Sequence, residues 1–254
     1  MLRGLSRTAS FLLSSSIATL GEGMKKARVA VLISGRGSNM TALIQAAKQP
    51  SYPAIIELVL SNRADAAGLS GAQAAGITTA VVDHASYGSE RERFEQAVQE
   101  VLDRRSIDLI CLAGFMRLLT PSFVSRWQGR MLNIHPALLP AFKGLDTHRR
   151  ALAAGVKIHG ASVHFVVAEM DSGPILAQGA VAVHEDDNEE TLAARVLEVE
   201  HRIYPMALAL LAAGRVQMID RRCVIGGCTA LQPALIVPDD RRRTTDDRGQ
   251  TSDL

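Results

Sequence analysis

The chain of 254 residues contains no run of about eighteen apolar residues, so no membrane span is expected. It has no charge excess either. With 28 basic and 26 acidic residues the formal net charge is +2, which gives no electrostatic case for nucleic acid or an acidic lipid surface as partner. Cysteine is scarce: Cys111, Cys223 and Cys228 are odd in number and stand at no CxxC or metal-ligand spacing. That usage fits a reducing compartment, and a cytoplasmic location is expected. His159, His164 and His184 form no HExxH or similar pair, so structural or solvated roles suit them and no metal is expected. No Gly-x-Ser-x-Gly elbow is present and no cysteine stands near a histidine, which leaves covalent serine or cysteine catalysis without a nucleophile.

What is present reads as one globular domain. Apolar residues make up 47% of the chain and charged residues 21%, enough for a sizeable core. From residue 27, apolar strands alternate with amphipathic helices: "ARVAVLIS", "AIIELVLSN", "TTAVVD", "DLICLAG" and "MLNIH" read as buried strands. Between them, "NMTALIQAAKQ", "ADAAGLSGAQAAG" and "SERERFEQAVQEVLDRRS" have helical spacing, and Thr120–Pro121 reads as the N-cap and first residue of another helix. Such units imply an α/β fold, a mostly parallel twisted sheet with helices on both faces. After residue 155 the style changes. "IHGASVHFVVAEMDSGPILAQGAVAVH" reads as two strands joined at Asp171, Ser172 and Gly173, an antiparallel addition in the C-terminal half. Asn188 is placed to cap a long closing helix, kinked or broken near Pro205. Residues 1–23 read as a non-catalytic extension, 24–215 as the catalytic domain, and 216–254, charged and without periodicity, as a largely disordered tail.

The chemistry gathers in a few places. "SGRGSN", residues 34–39, lies between the first strand and the first helix, where unpaired N–H groups and the positive end of the helix dipole favour an anion. Met40 stands where a dinucleotide fingerprint has its third glycine, and the Gly-Lys-Ser/Thr ending of a Walker loop is missing. A single phosphate therefore suits the loop, although such turns also serve as plain connections. In "MLNIHPALLPAFKG", Asn133 and His135 share one face of a strand. Both this pair and the "GFMR" segment follow strand ends, as "SGRGSN" does, so all three should meet on the carboxyl edge of the sheet. An amide beside an imidazole suits acyl transfer: the amide holds a developing oxyanion and the ring supplies charge or moves a proton. A carboxylate to orient the ring is needed as well. Asp171 in the "EMDSGPIL" turn fits best, with Asp83 and Asp146 as rivals.

Five separated segments, "VLISGRGSNMTALI", "LAGFMRLLTPSFV", "LNIHPALLPAFKGLDTHRRAL", "HGASVHFVVAEMDSGPIL" and "ARVLEVEHRIYP", together resemble the phosphoribosylglycinamide formyltransferases over about residues 27–215. The resemblance implies a Rossmann-like fold and transfer of a formyl group from 10-formyltetrahydrofolate, as co-substrate, to the amine of glycinamide ribonucleotide, without a metal. It assigns catalysis to Asn133, His135 and Asp171, the nucleotide phosphate to Gly37, Ser38 and Asn39, and the ribose hydroxyls to Glu200. The folate pocket falls on Arg91, Met116, Arg117, Leu118, Leu119, Asn133, Val167, Ala168, Glu169, Met170 and Asp171. An aspartate on the ring favours imidazolium in this reading. Leu197 departs from the family's pattern, where a glutamine precedes the ribose-binding glutamate by three residues. One extra residue near Glu90 bears on Arg91. A monomer or homodimer is expected. The alternative is a formyltetrahydrofolate hydrolase that uses water as acceptor.

Overall fold

In the computed structural model, residues 25–219 and 222–227 are described, together with Val237. Strands and helices alternate through β1 (Ala27–Ile33), α1 (Ser38–Ala47), β2 (Ala54–Ser61), α2 (Gly68–Ala74), β3 (Thr78–Val81), α3 (Arg91–Arg104), β4 (Leu109–Leu112), α4 (Pro121–Arg126) and β5 (Met131–His135). Then come α5 (Thr147–Ala153), β6 (Ile158–Phe165), β7 (Ile175–Ala182), α6 (Glu189–Ala212) and a hairpin of β8 (Val216–Ile219) and β9 (Arg222–Ile225). The main sheet has seven strands in the order β3-β2-β1-β4-β5-β6-β7. β1 to β5 are parallel, and β6 and β7 continue the sheet in antiparallel fashion.

Strands buried on both faces carry apolar residues at every position. In β1, Val29, Val31 and Ile33 pack on one side with Met40 and Leu43 of α1 and with Leu192, Val196 and Tyr204 of α6. Ala30 and Leu32 face the other side, against Phe94, Val98 and Leu102 of α3 and Phe123 and Val124 of α4. Burial of each such large side chain contributes about 1.5–3 kcal/mol, which commits both faces to helices. Thr120 accepts a hydrogen bond from Phe123 N with Pro121 in the first turn, as its sequence position implies. Asn188 caps α6 through a reciprocal pair with Thr191. Of the expected kink or break at Pro205, the break does not occur: the helix runs on through the proline, and its long apolar face is held against the sheet on both sides of it.

A second departure lies at the C-terminal end. Val216–Ile219 and Arg222–Ile225 pair as β8 and β9, within the segment read as a tail. Partly buried Val216, Cys223 and Ile225 pack against the main core, which accounts for their order. Apart from Gly226, Gly227 and Val237, the rest of that tail, like the extension at residues 1–23, lies outside the described residues. Among the described residues no helix is long and apolar enough to cross a membrane.

Candidate active site

Strand order reverses direction beside β1, with β2 and β3 on one flank and β4 and β5 on the other. Ligands bind α/β sheets at the carboxyl ends of strands near such a switch point, and the loops after β1, β4 and β5 open there. The first of them turns at Gly37, in the left-handed region at φ 75°, where an added Cβ would lie 3.2 Å from Gly68 Cα. Among the described residues no side chain caps the α1 N-terminus, so its first-turn N–H groups are available to an anion. The Asn39 side chain does not join them. It is buried and donates to Glu200 Oε2 at 2.5 Å, so α1 and α6 bring together the phosphate loop and the carboxylate assigned to ribose. Burial raises the Glu200 carboxyl above the ordinary range, with the Asn39 bond opposing the shift. Leu197 is half-buried on the same helix.

Strand alternation puts Asn133 and His135 on the face of β5 opposite Leu132 and Ile134. Antiparallel pairing sets Asn133 opposite His164 and His135 opposite Ser162. The β6–β7 connection then folds back across this face. Asp171 Oδ2 lies 3.5 Å from His135 Nδ1 and accepts from Gly144 N at 2.9 Å, while Oδ1 lies 3.7 Å from His164 Nε2. The Asp171 side chain is only 9% exposed, not displayed on an open turn as its sequence suggests, and its backbone is left-handed at φ 50°. Gly173 permits this fold-back, since a Cβ there would collide with the Phe165 carbonyl. Neither rival aspartate reaches the ring: Asp83 caps a short 3-10 turn through Ala85 N, and Asp146 pairs with Arg149.

Hydrogen-bond chemistry fixes the tautomers. Phe165 O can only accept from His164 Nδ1, at 2.9 Å, so Nδ1 of this ring carries the proton. Nε2 then accepts from Asn133 Nδ2 at 3.2 Å, leaving the second amide hydrogen free to meet a ligand. Burial holds His164 below the ordinary histidine value. In the same way, Phe142 O accepts from His135 Nε2 at 3.0 Å. Ser162 anchors the loop that carries Phe142, accepting from Leu139 N and donating to Ala137 O. His164 thus belongs to the constellation, although its sequence context suggests a structural or solvated role. Only the β5–β6 register reveals it.

The segments assigned to folate lie on two connections. Met116, Arg117, Leu118 and Leu119 follow β4, with Met116 and Leu118 exposed at 69% and 60% and the Arg117 guanidinium over the Phe94 ring. Val167 is half-buried, Ala168, Glu169 and Met170 are exposed, and all four precede Asp171. Arg91, the first residue of α3, lines a surface depression together with Thr120, just past the first of these segments. Among the described residues no three His, Cys, Asp or Glu side chains gather as a metal-binding group.

A sheet of this topology, with an amide, an imidazole and a carboxylate over β5, defines a group-transfer enzyme of the formyl transferase class. Residues 27–208 match that family, and the chain belongs to it. It is 44% identical over 199 residues to the phosphoribosylglycinamide formyltransferase of Escherichia coli, covering 78% of this chain and 93% of that protein. Similarity to the trifunctional purine biosynthetic protein adenosine-3 of Gallus gallus is 53% over 193 residues, 76% of this chain but only 19% of that much longer protein. The crystal structure of glycinamide ribonucleotide transformylase 1 from Symbiobacterium toebii superposes with a TM-score of 0.76 at 46% identity, covering 79% of this chain and 94% of the other.

Proposed function

We propose that the chain transfers the formyl group of 10-formyltetrahydrofolate to the amine of glycinamide ribonucleotide, a step of purine biosynthesis. The observation that carries this reading is the approach of Asp171 to the Asn133–His135 pair beside an uncapped helix N-terminus. The nucleotide's phosphate meets the backbone N–H groups of Gly37, Ser38 and Asn39. Glu200 Oε1, which takes no hydrogen bond among the described residues, accepts from the ribose. The pterin end of the folate lies against Met116–Leu119 and Val167–Asp171, with Arg91 toward its acidic tail.

The amine attacks the formyl carbon. A new N–C bond forms, the bond from the formyl carbon to the folate N10 breaks, and one proton passes from the amine to N10. The tetrahedral oxyanion is met by the free amide hydrogen of Asn133 and by His135. Asp171 occupies the Nδ1 side of that ring, so the donor that can turn to substrate is Nε2–H, released from the Phe142 carbonyl. The carboxylate beside Nδ1 fixes the orientation of the ring toward the reacting carbon.

The deciding experiment is the rate of tetrahydrofolate release from 10-formyltetrahydrofolate with and without glycinamide ribonucleotide. Release that depends on the nucleotide supports the transferase. Equal release without it makes water the acceptor, and no release in either case overturns formyl transfer.

A further inference from the structure

The segment between β4 and α4 has a problem that its assigned task makes acute. It must hold Met116 and Leu118 out in solvent in a defined geometry, yet Arg117, Leu118 and Leu119 lie in neither helix nor strand. Exposed apolar side chains on an unanchored backbone offer a ligand no preformed surface, and ordering them on binding costs affinity. The structure answers with two buried polar side chains, one at each end.

At the first end stands Ser34, the residue after β1. Its backbone N–H bonds Gly114 O at 3.1 Å, and its hydroxyl accepts from Met116 N at 2.8 Å. The hydroxyl proton is committed to Asn62 Oδ1 at 2.6 Å, which turns a lone pair toward Met116. Asn62 is itself buried at the end of β2. At the far end stands Glu95, on the apolar face of α3 beside Phe94 and Val98 and only 4% exposed. A buried carboxylate costs stability unless its oxygens are satisfied. Here both are, by a single residue: Oε1 accepts from Thr120 N at 2.6 Å, and Oε2 accepts from Thr120 Oγ1. Thr120 already caps α4 through Phe123 N, so the helix does not need the carboxylate to begin there. What Glu95 adds is a fixed position for the residue that closes the 116–119 segment.

We propose that Ser34 and Glu95 are positioning residues for the folate-binding loop, fixing Met116 and Thr120 so that two buried side chains that do not touch the folate set its affinity. Ser34 also roots the phosphate loop, so one hydroxyl ties the walls of both substrate sites together. The inference rests on the assignment of folate to Met116–Leu119.

The test uses the full chain, steady-state kinetics in both substrates, and calorimetric binding of a 10-formyl folate analogue that cannot transfer its formyl group. Glu95→Ala should raise the KM for formyl-folate about tenfold or more while the KM for the nucleotide stays within about twofold. Glu95→Gln, which keeps an acceptor for Thr120 N–H, should recover most of that loss. Ser34→Ala should weaken folate about three- to tenfold. Should Glu95→Ala fail to fold, Ser34→Ala decides alone. Folate KM within about twofold of wild type in Ser34→Ala, or in a folded Glu95→Ala, overturns the proposal, and so does an equal rise in both KM values in Glu95→Ala, which marks general damage. A wild-type chain that binds no folate analogue overturns the functional reading, and the clamp with it. Wild-type binding with unaffected variants overturns the clamp alone.

Discussion

At the scale of single residues, the candidate site is a set of committed hydrogen bonds with one vacancy. Asn133 spends one amide hydrogen on His164 and keeps the other, and His135 is held on one side by Asp171. Losing one oxyanion donor typically costs about 100- to 1000-fold in turnover. Asn133→Ala and His135→Ala should therefore be nearly inactive while binding glycinamide ribonucleotide with wild-type affinity in calorimetry. His135→Ala retaining more than about a tenth of wild-type turnover would remove the ring from the mechanism. His164 holds the Asn133 amide, so its proposed effect is one step away from the substrate. Its replacement by leucine should lower kcat by about tenfold or more with little change in the nucleotide KM. His164→Gln, whose side-chain oxygen can still accept from Asn133, should restore part of the rate; equal losses in the two variants would mean that only the ring's volume matters.

Elements decide which of these residues meet, and here sequence and structure part company in an instructive way. β1, β2 and β4 are legible because strands covered on both faces are apolar nearly throughout, β5 because Met131, Leu132 and Ile134 read as strand residues, and α4 and α6 because Thr120–Pro121 and Asn188 are local start signals. α5 is not legible in this way: its N-cap is Asp146 in the left-handed region, with no side-chain capping bond. The β8–β9 hairpin carries no Asn-Gly or Asp-Gly signal at residues 220–221 and sits among charged residues. Asn133, His135 and the phosphate loop can be placed from strand ends alone. His164 cannot, because its approach to Asn133 depends on the register of two strands 31 residues apart. The burial of Asp171 likewise depends on a fold-back that rests on one glycine. Gly173→Ala forces a methyl group against the Phe165 carbonyl, so the connection must shift and carry Asp171 with it. The expected outcome is a fall in kcat of at least about tenfold, with nucleotide binding retained because the loop proposed to hold the phosphate lies at the start of α1. Full activity in this variant would mean that the connection tolerates displacement and that Asp171 is not held where the ring needs it.

For the whole molecule, the consequence of packing so many histidines inside is a stability that depends on pH. His159 is 1% exposed, both its ring nitrogens lack a partner among the described residues, and its ring lies 5.3 Å from that of His148. Burial, with the His148 ring adding to it, pushes its pKa down to about 4. His148, His164 and His201 are shifted in the same direction, each chiefly by burial. The unfolded chain takes up protons on these rings near their ordinary value of about 6.5, whereas the folded chain resists until lower pH. Between those values the unfolded state binds more protons, so acid favours unfolding. The stability is fully present above about pH 6.5 and is lost as the pH falls toward about 4, with His159 alone accounting for at most about 3 kcal/mol. Asp187, held below the usual carboxylate range chiefly by Arg195, gives way only at still lower pH and does not confuse the window. Urea unfolding at pH 7 and at pH 5 should therefore show a clear drop in midpoint for the wild type. His159→Phe, which keeps an aromatic ring but cannot take up a proton, should narrow the gap between the two midpoints whatever its stability at pH 7. An unchanged gap would mean that His159 is protonated as readily folded as unfolded, and that its buried ring has found a proton acceptor in solution.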